Sequence, residues 1–402
     1  MRSVVAILVL AAIALLGSRR ILFGRHVPLG ARLVFVTGTE YLLVGLLLGD
    51  GYLGILDRGS LEALQPLVHV ALGWVGLLFG LQFEVRKLRT LPVGFFRVSM
   101  IQAAVAMVFV GSASLPFLPR EGGGFAPGVL LAALTVAAAA GCTGQSGLAL
   151  VRKEARPGSR RLSMLLRTVA SMDPVAGLLV FGLAAGLLPA AGGGNPVQGI
   201  RTAVLCTAVS ILMGWILYSL CKAGPTPSEI LLFILGTAAI CGGLSAKMGC
   251  STLFMAAVCG FVTANVCTLR ARLVRLLTEG ETFLYVVLLV LVGARWSMPT
   301  AGLLALGVGF FAVRLLGKLV GGFIATRPFT GHIPVPAAFG LGLTAQAGMA
   351  LAIVVDYQQM AHGGLGDTVL TVGVLGIVLS ELAGPSLSLW VMRRSRAREV
   401  GE

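Results

Sequence analysis

Long apolar runs alternate with short basic connections along this chain, and that alternation leaves one class of fold open. A helix needs about 17–25 predominantly apolar residues to cross the hydrocarbon core of a bilayer. About thirteen such runs can be read, near 4–17, 30–49, 61–82, 93–118, 127–151, 162–189, 198–220, 229–246, 250–268, 281–298, 301–326, 335–357 and 368–392. In hydrocarbon, backbone polar groups have to be satisfied within the segment, so these runs read as helices. Over 402 residues, 57% are hydrophobic and 12% charged, and the mean hydropathy is +0.94. The expectation is an all-α polytopic membrane protein with about 13 transmembrane helices and no soluble domain of useful size.

A net charge of +15 could suggest nucleic acid, but its placement argues for a bilayer partner and no nucleic acid. Arg19, Arg20, Arg86, Lys87, Arg152, Lys153, Arg270, Arg272, Arg393 and Arg394 fall in alternate connections, whereas Arg2, Arg58, Arg120, Arg201, Lys247 and Arg295 fall in the others. Short loops rich in Lys and Arg stay cytoplasmic, which puts the N-terminus outside and the C-terminus inside a cell (inner) membrane. The first run is followed by Arg-Arg and reads as an uncleaved anchor. The seven cysteines lie mostly in apolar runs, lack paired metal spacing, and read as small buried hydrophobes.

Within this apolar background Leu166 to Gly177 carries one acid, Asp173, about midway along its run. A mid-membrane carboxylate costs about 2.5–3.5 kcal/mol to insert and is read by default as an ion or proton site. Pro174 beside it removes a backbone donor and could free local carbonyls for a cation. The competing reading is an aspartate that caps a helix broken at Pro174.

Residues 143–150 (Thr-Gly-Gln-Ser-Gly-Leu-Ala-Leu) and 344–351 (Thr-Ala-Gln-Ala-Gly-Met-Ala-Leu) share the pattern T-x-Q-x-G-x-A-L. They lie in the fifth and twelfth runs. The offset of seven is odd, so the copies cross the membrane in opposite directions, as in an inverted repeat. Glycines 141, 144, 147, 340, 342 and 348 weaken both helices mid-span, where Thr and Gln side chains can satisfy freed backbone groups. Close packing of small residues, or a chance match in an Ala/Gly/Leu-rich chain, are the alternatives.

Arg314 and Lys318 stand four apart in the eleventh run and share a helical face. A buried guanidinium calls for a carboxylate partner, for which Glu381, Glu40 and Asp173 are the candidates, with Glu381 the first choice. Lys318 lies a turn nearer the cytoplasm and reads as a snorkelling residue.

Taken together, these residues resemble the cation:proton antiporter superfamily, nearest the Kef-type and sodium/proton exchanger transmembrane domain. The likeness rests on Val75–Leu88, Ser-Met-Asp-Pro-Val-Ala-Gly at 171–177, Leu-Val-Gly at 291–293, Arg-x-x-Gly-Lys at 314–318 and Glu-Leu-Ala-Gly-Pro at 381–385. The resemblance implies two inverted six-helix repeats with crossed broken helices, and a homodimer. A dimerisation domain would comprise 1–92 and 225–299, and a core ion-transport domain 93–190 and 300–402, with 191–224 as a linker helix. Met172 stands where relatives carry Asp, Asn or Gln, which favours one-for-one electroneutral exchange. Met349 stands where Kef-like chains often carry Glu, and the nucleotide-binding tail of full-length Kef-type proteins is not expected.

The function implied is exchange of a monovalent cation, Na⁺ or K⁺, for H⁺. Cation and proton would compete for Asp173, while Thr143, Ser146, Thr344 and Gln346 would supply neutral oxygens and helix-end dipoles. Arg314 would hold the empty aspartate or pair Glu40 or Glu381. An ungated potassium pathway, a sodium-coupled organic-anion symporter of related fold, and a membrane enzyme remain open. For the enzyme there is no metal cluster or nucleophile–base spacing, and no cofactor is expected: His26, His69, His332 and His362 lie far apart, and His69 reads as a packed helix-face residue.

Overall fold

The computed structural model describes residues 2–18, 38–90, 92–118, 125–145, 160–188, 196–296, 299–329, 335–346, 348–361 and 364–400. Ser146 and the basic clusters Arg19–Arg20 and Arg152–Lys153 lie outside them. Among the described residues thirteen helices have ten or more residues. They are α1 (Arg2–Ser18), α2 (Thr39–Leu48), α3 (Gln65–Gln82), α4 (Val93–Ser114), α5 (Pro127–Gly141), α6 (Arg160–Leu187), α7 (Pro196–Lys222), α8 (Pro227–Met248), α9 (Thr252–Val266), α10 (Arg270–Arg295), α11 (Ala301–Thr326), α12 (Gly348–Met360) and α13 (Gly364–Val400). Each falls on one of the thirteen apolar runs. Eight are long and apolar enough to cross a membrane, whereas α5, at 15 residues, stops just ahead of the first octapeptide and α12, at 13, begins partway through the second.

Local chemistry sets the helix ends. Proline opens α5 and α8 at a position where no backbone donor is needed. Thr226 and Glu229 form a capping box on α8, and the side chains of Ser251 and Thr300 cap α9 and α11. Helix α8 ends at Gly249, whose φ of 66° suits a residue without a Cβ.

The chain forms two compact units. The first takes Met1–Val27, Gly38–Thr90 and Gly182–Met298, and the second takes Pro28–Thr37, Leu91–Phe181 and Pro299–Glu402. In the first unit α3 packs on α9 and α8, and α2 on α10. Trp74 is buried and donates to the Leu277 carbonyl at 3.0 Å. His69 on α3 meets the Thr252 hydroxyl at 2.9 Å through Nδ1, a packed helix-face histidine. The cysteines depart from expectation, because Cys206 of α7 and Cys250, just ahead of α9, are joined in a disulfide. The packing of α7 on α9, invisible to spacing, brings them together.

In the second unit α11 lies along α4 and against α13, and α5 packs on α4 and α12. Its apolar floor joins Val98, Leu162, Leu166, Val169, Ala325, Phe339 and Leu343 from four segments. Glycine permits the closest approaches. A Cβ on Gly321 would stand 2.9 Å from the Gln102 carbonyl of α4, and one on Gly340 would collide with the carbonyl of Lys318. These contacts fix the depth at which α11 passes the broken helices.

Candidate ion site

Helix α5 stops at Gly141, and Cys142 to Gly144 run on without helical structure. On the other side a short 3₁₀ turn, Phe339–Leu343, leads into non-helical Thr344 to Gln346 before α12 begins. The two breaks touch: the Gly144 N–H donates to the Ala345 carbonyl at 2.8 Å. Gly144 and Ala345 hold the same position in the two copies of the octapeptide, so the motif marks the crossing. Unwound backbone of this kind is tolerated at membrane depth only inside protein or along a cavity.

Asp173 sits on α6 beside this crossing with no exposed surface. Ser99 of α4 donates to its Oδ1 at 2.9 Å, Thr143 donates to Oδ2 at 2.7 Å, and the Lys318 ammonium lies 2.9 Å from Oδ2. Helix α6 runs unbroken through Pro174, so Asp173 is no cap at a proline break. The partners of the carboxylate are thus donors on neighbouring elements, Ser99, Thr143 and Lys318.

Both cations of α11 depart from their expected roles. Lys318 does not snorkel: it is fully buried and paired with Asp173, and it also donates to the Gly141 carbonyl at 2.7 Å and to Thr143 Oγ1 at 2.8 Å. Arg314 is equally buried, yet its hydrogen bonds among the described residues go to no carboxylate. Nε donates to the Ala140 carbonyl at 3.0 Å, Nη2 to that of Cys142 at 2.9 Å, and Nη1 to that of Thr344 at 2.6 Å and to Ser380 Oγ at 3.4 Å. The planar fork of guanidinium donors suits several carbonyls at once. It stands at the C-terminal end of α5, where the helix dipole is negative. Arg314 thus stitches the two breaks together, and it does not hold the aspartate.

The other expected residues divide around this centre. Thr344 offers its carbonyl to Arg314, while its hydroxyl turns back to the Leu341 carbonyl at 2.8 Å. Gln346 is fully buried, donates from Nε2 to the Ala139 carbonyl at 2.8 Å, and leaves Oε1 without a hydrogen-bond partner among the described residues. Glu381 is buried on α13 next to Ser380, and neither of its carboxyl oxygens has a hydrogen-bond partner among the described residues. Glu40 belongs to the first unit. Two residues of α4, Ser99 and Gln102, were missed from sequence. One turn apart, they face Asp173 and Lys318, and the only signal was a pair of polar residues on one face of an apolar run.

These features define a class: a polytopic helical membrane protein whose two broken helices cross beside a buried carboxylate. No protein-family profile and no curated protein sequence matches the chain, but solved structures do. The sodium proton antiporter MjNhaP1 from Methanocaldococcus jannaschii, in its structure at pH 8, matches 98% of this chain and 100% of its own at a TM-score of 0.67 and 18% identity. The chain has the sodium/proton antiporter fold, with two inverted six-helix repeats, and is a multi-pass membrane protein.

Proposed function

We propose that this protein is a secondary transporter that exchanges a monovalent cation for protons, with Asp173 as the shared site. The observation that carries this reading is the environment of Asp173: a fully buried carboxylate at the crossing of two broken helices, held by two hydroxyls and one tethered ammonium. A desolvated carboxylate needs a positive partner, and the ammonium, a metal cation and a proton are alternatives for that one charge. The cation displaces Lys318 from Asp173 and a proton displaces the cation, with Thr143 contacting the carboxylate throughout. Arg314, Thr344 and Gln346 keep the breaks apart as helices and together as a crossing.

The second unit carries the ion, and the first supplies the contacts of a homodimer in a cell membrane, with the N-terminus outside and the C-terminus cytoplasmic. With Lys318 charged throughout the cycle, the loaded site has the same net charge with a cation as with a proton, so exchange is one-for-one. The purified protein in proteoliposomes with an internal pH dye tests the reading. Addition of Na⁺, K⁺ or Li⁺ on one side is expected to drive protons the other way for at least one of the three. A pH signal that stays flat for all of them contradicts it.

A further inference from the structure

Among the described residues four oxygens surround the Lys318 ammonium, one more than it has protons. The Gly141 carbonyl is at 2.7 Å, Thr143 Oγ1 at 2.8 Å, Asp173 Oδ2 at 2.9 Å and Gln102 Oε1 at 3.3 Å. An ammonium donates three hydrogen bonds. The three short contacts use them, and the Gln102 oxygen, beyond the usual donor–acceptor range, adds little for lysine. Gln102 nevertheless is fully buried and turns its carbonyl, not its amide nitrogen, toward the ammonium, which leaves Nε2 without a partner among the described residues. The ammonium's charge orients that oxygen, but its three protons are taken by the shorter contacts, so Gln102 Oε1 is a fourth oxygen that lysine does not need.

A spherical cation does account for it, because it takes oxygens without regard to direction and replaces its hydration shell with as many as surround it. We infer that the Lys318 ammonium occupies the transported cation's own cage, that Gln102 is a ligand reserved for that cation, and that the cage is sized for potassium or rubidium rather than sodium or lithium. An ammonium group and a potassium ion are of nearly equal size, whereas sodium and lithium require oxygens drawn in closer. The cage resists contraction. Its Gly141 carbonyl belongs to the end of α5, and the backbone of Gln102 is pressed against α11 at Gly321. Interiors packed this closely do not yield to a small ion without loss elsewhere.

The inference rests on the exchange reading above and is tested apart from it. The full chain in proteoliposomes is given K⁺, Rb⁺, Na⁺ and Li⁺ in turn, and KM for each is read from cation-driven proton flux. The wild type is expected to show a KM for K⁺ and Rb⁺ about tenfold or more below that for Na⁺ and Li⁺, a difference that about 1.4 kcal/mol supplies. Gln102→Leu, of similar volume but without the oxygen, is expected to raise KM for K⁺ and Rb⁺ about tenfold, as loss of one contact to a charge does, while the Na⁺ value moves about twofold or less. Equal or better exchange with Na⁺ or Li⁺ in the wild type overturns the size claim and leaves exchange standing, whether or not Gln102→Leu folds. An equal shift for all four ions in Gln102→Leu makes Gln102 a packing residue and overturns its role as a ligand. Absence of exchange with every cation removes the exchange reading and this inference with it.

Discussion

Asp173 and Lys318 meet with Oδ2 and Nζ 2.9 Å apart, and neither side chain has any exposed surface. Helices α6 and α11, far apart in sequence, thereby share one neutral pair at the crossing of two broken helices. Both charges depend on each other, since neither reaches water and each is costly alone.

That dependence gives the first prediction. Lys318→Ala strands the carboxylate and is expected to cost about 3–5 kcal/mol, whereas removing both charges is close to neutral. Thermal unfolding in detergent should therefore rank the variants clearly. Lys318→Ala should unfold well below the wild type, and Lys318→Ala with Asp173→Asn should recover most of the loss. A double variant no more stable than the single one contradicts the pair.

Arg314 gives the second. Three backbone carbonyls and a serine hydroxyl use its fork, so a lysine, which presents a compact point charge, does not replace it. Arg314→Lys is expected to be nearly as unstable in detergent as Arg314→Ala, with a loss of about 2 kcal/mol or more from the stranded carbonyls. Addition of Glu381→Gln is expected to restore neither. Rescue by Glu381→Gln would show that the guanidinium pairs with that carboxylate after all.

The assignment of these two cations shows where the sequence stops being legible. Residues four apart share a helical face, so spacing alone placed Arg314 and Lys318 together without saying which meets Asp173. That choice depends on the depth at which α11 passes α5 and α6, which Gly321 and Gly340 set through contacts with Gln102 and Lys318. The breaks were legible because glycines and a repeated octapeptide mark them. Ser99 and Gln102 were not, because a hydroxyl or amide inside an apolar run looks the same whether it packs a helix or faces a carboxylate. The Cys206–Cys250 bond was illegible for a related reason: it depends on tertiary packing of α7 against α9.

Gly340 gives a third prediction. A Cβ there collides with the Lys318 carbonyl, so Gly340→Ala has to push α11 away from the 3₁₀ turn and carry the ammonium with it. Overpacking of this kind costs about 1–3 kcal/mol. Slower proton flux and a lower unfolding temperature are expected together. Unchanged values for both would mean that the approach of these segments does not position Lys318.

Charge balance gives a fourth. If Lys318 stays protonated while Asp173 alternates between cation and proton, turnover moves no net charge. Solid-supported membrane recordings are expected to show no transport current beyond that of protein-free membranes, at cation concentrations that drive full flux in the pH-dye assay. A current that rises in proportion to flux would mean that Lys318 also gives up its proton in each cycle.

The most direct measurement is cation-driven proton flux through Asp173→Asn in proteoliposomes, alongside the wild type at matched reconstitution. Asparagine keeps the shape and can still accept a hydrogen bond, but it has no charge for a cation and a proton to share. The expected result is cation-driven flux in the wild type and none above empty vesicles in Asp173→Asn. Flux in Asp173→Asn at anything near the wild-type rate would contradict the assignment of Asp173 as the transport site.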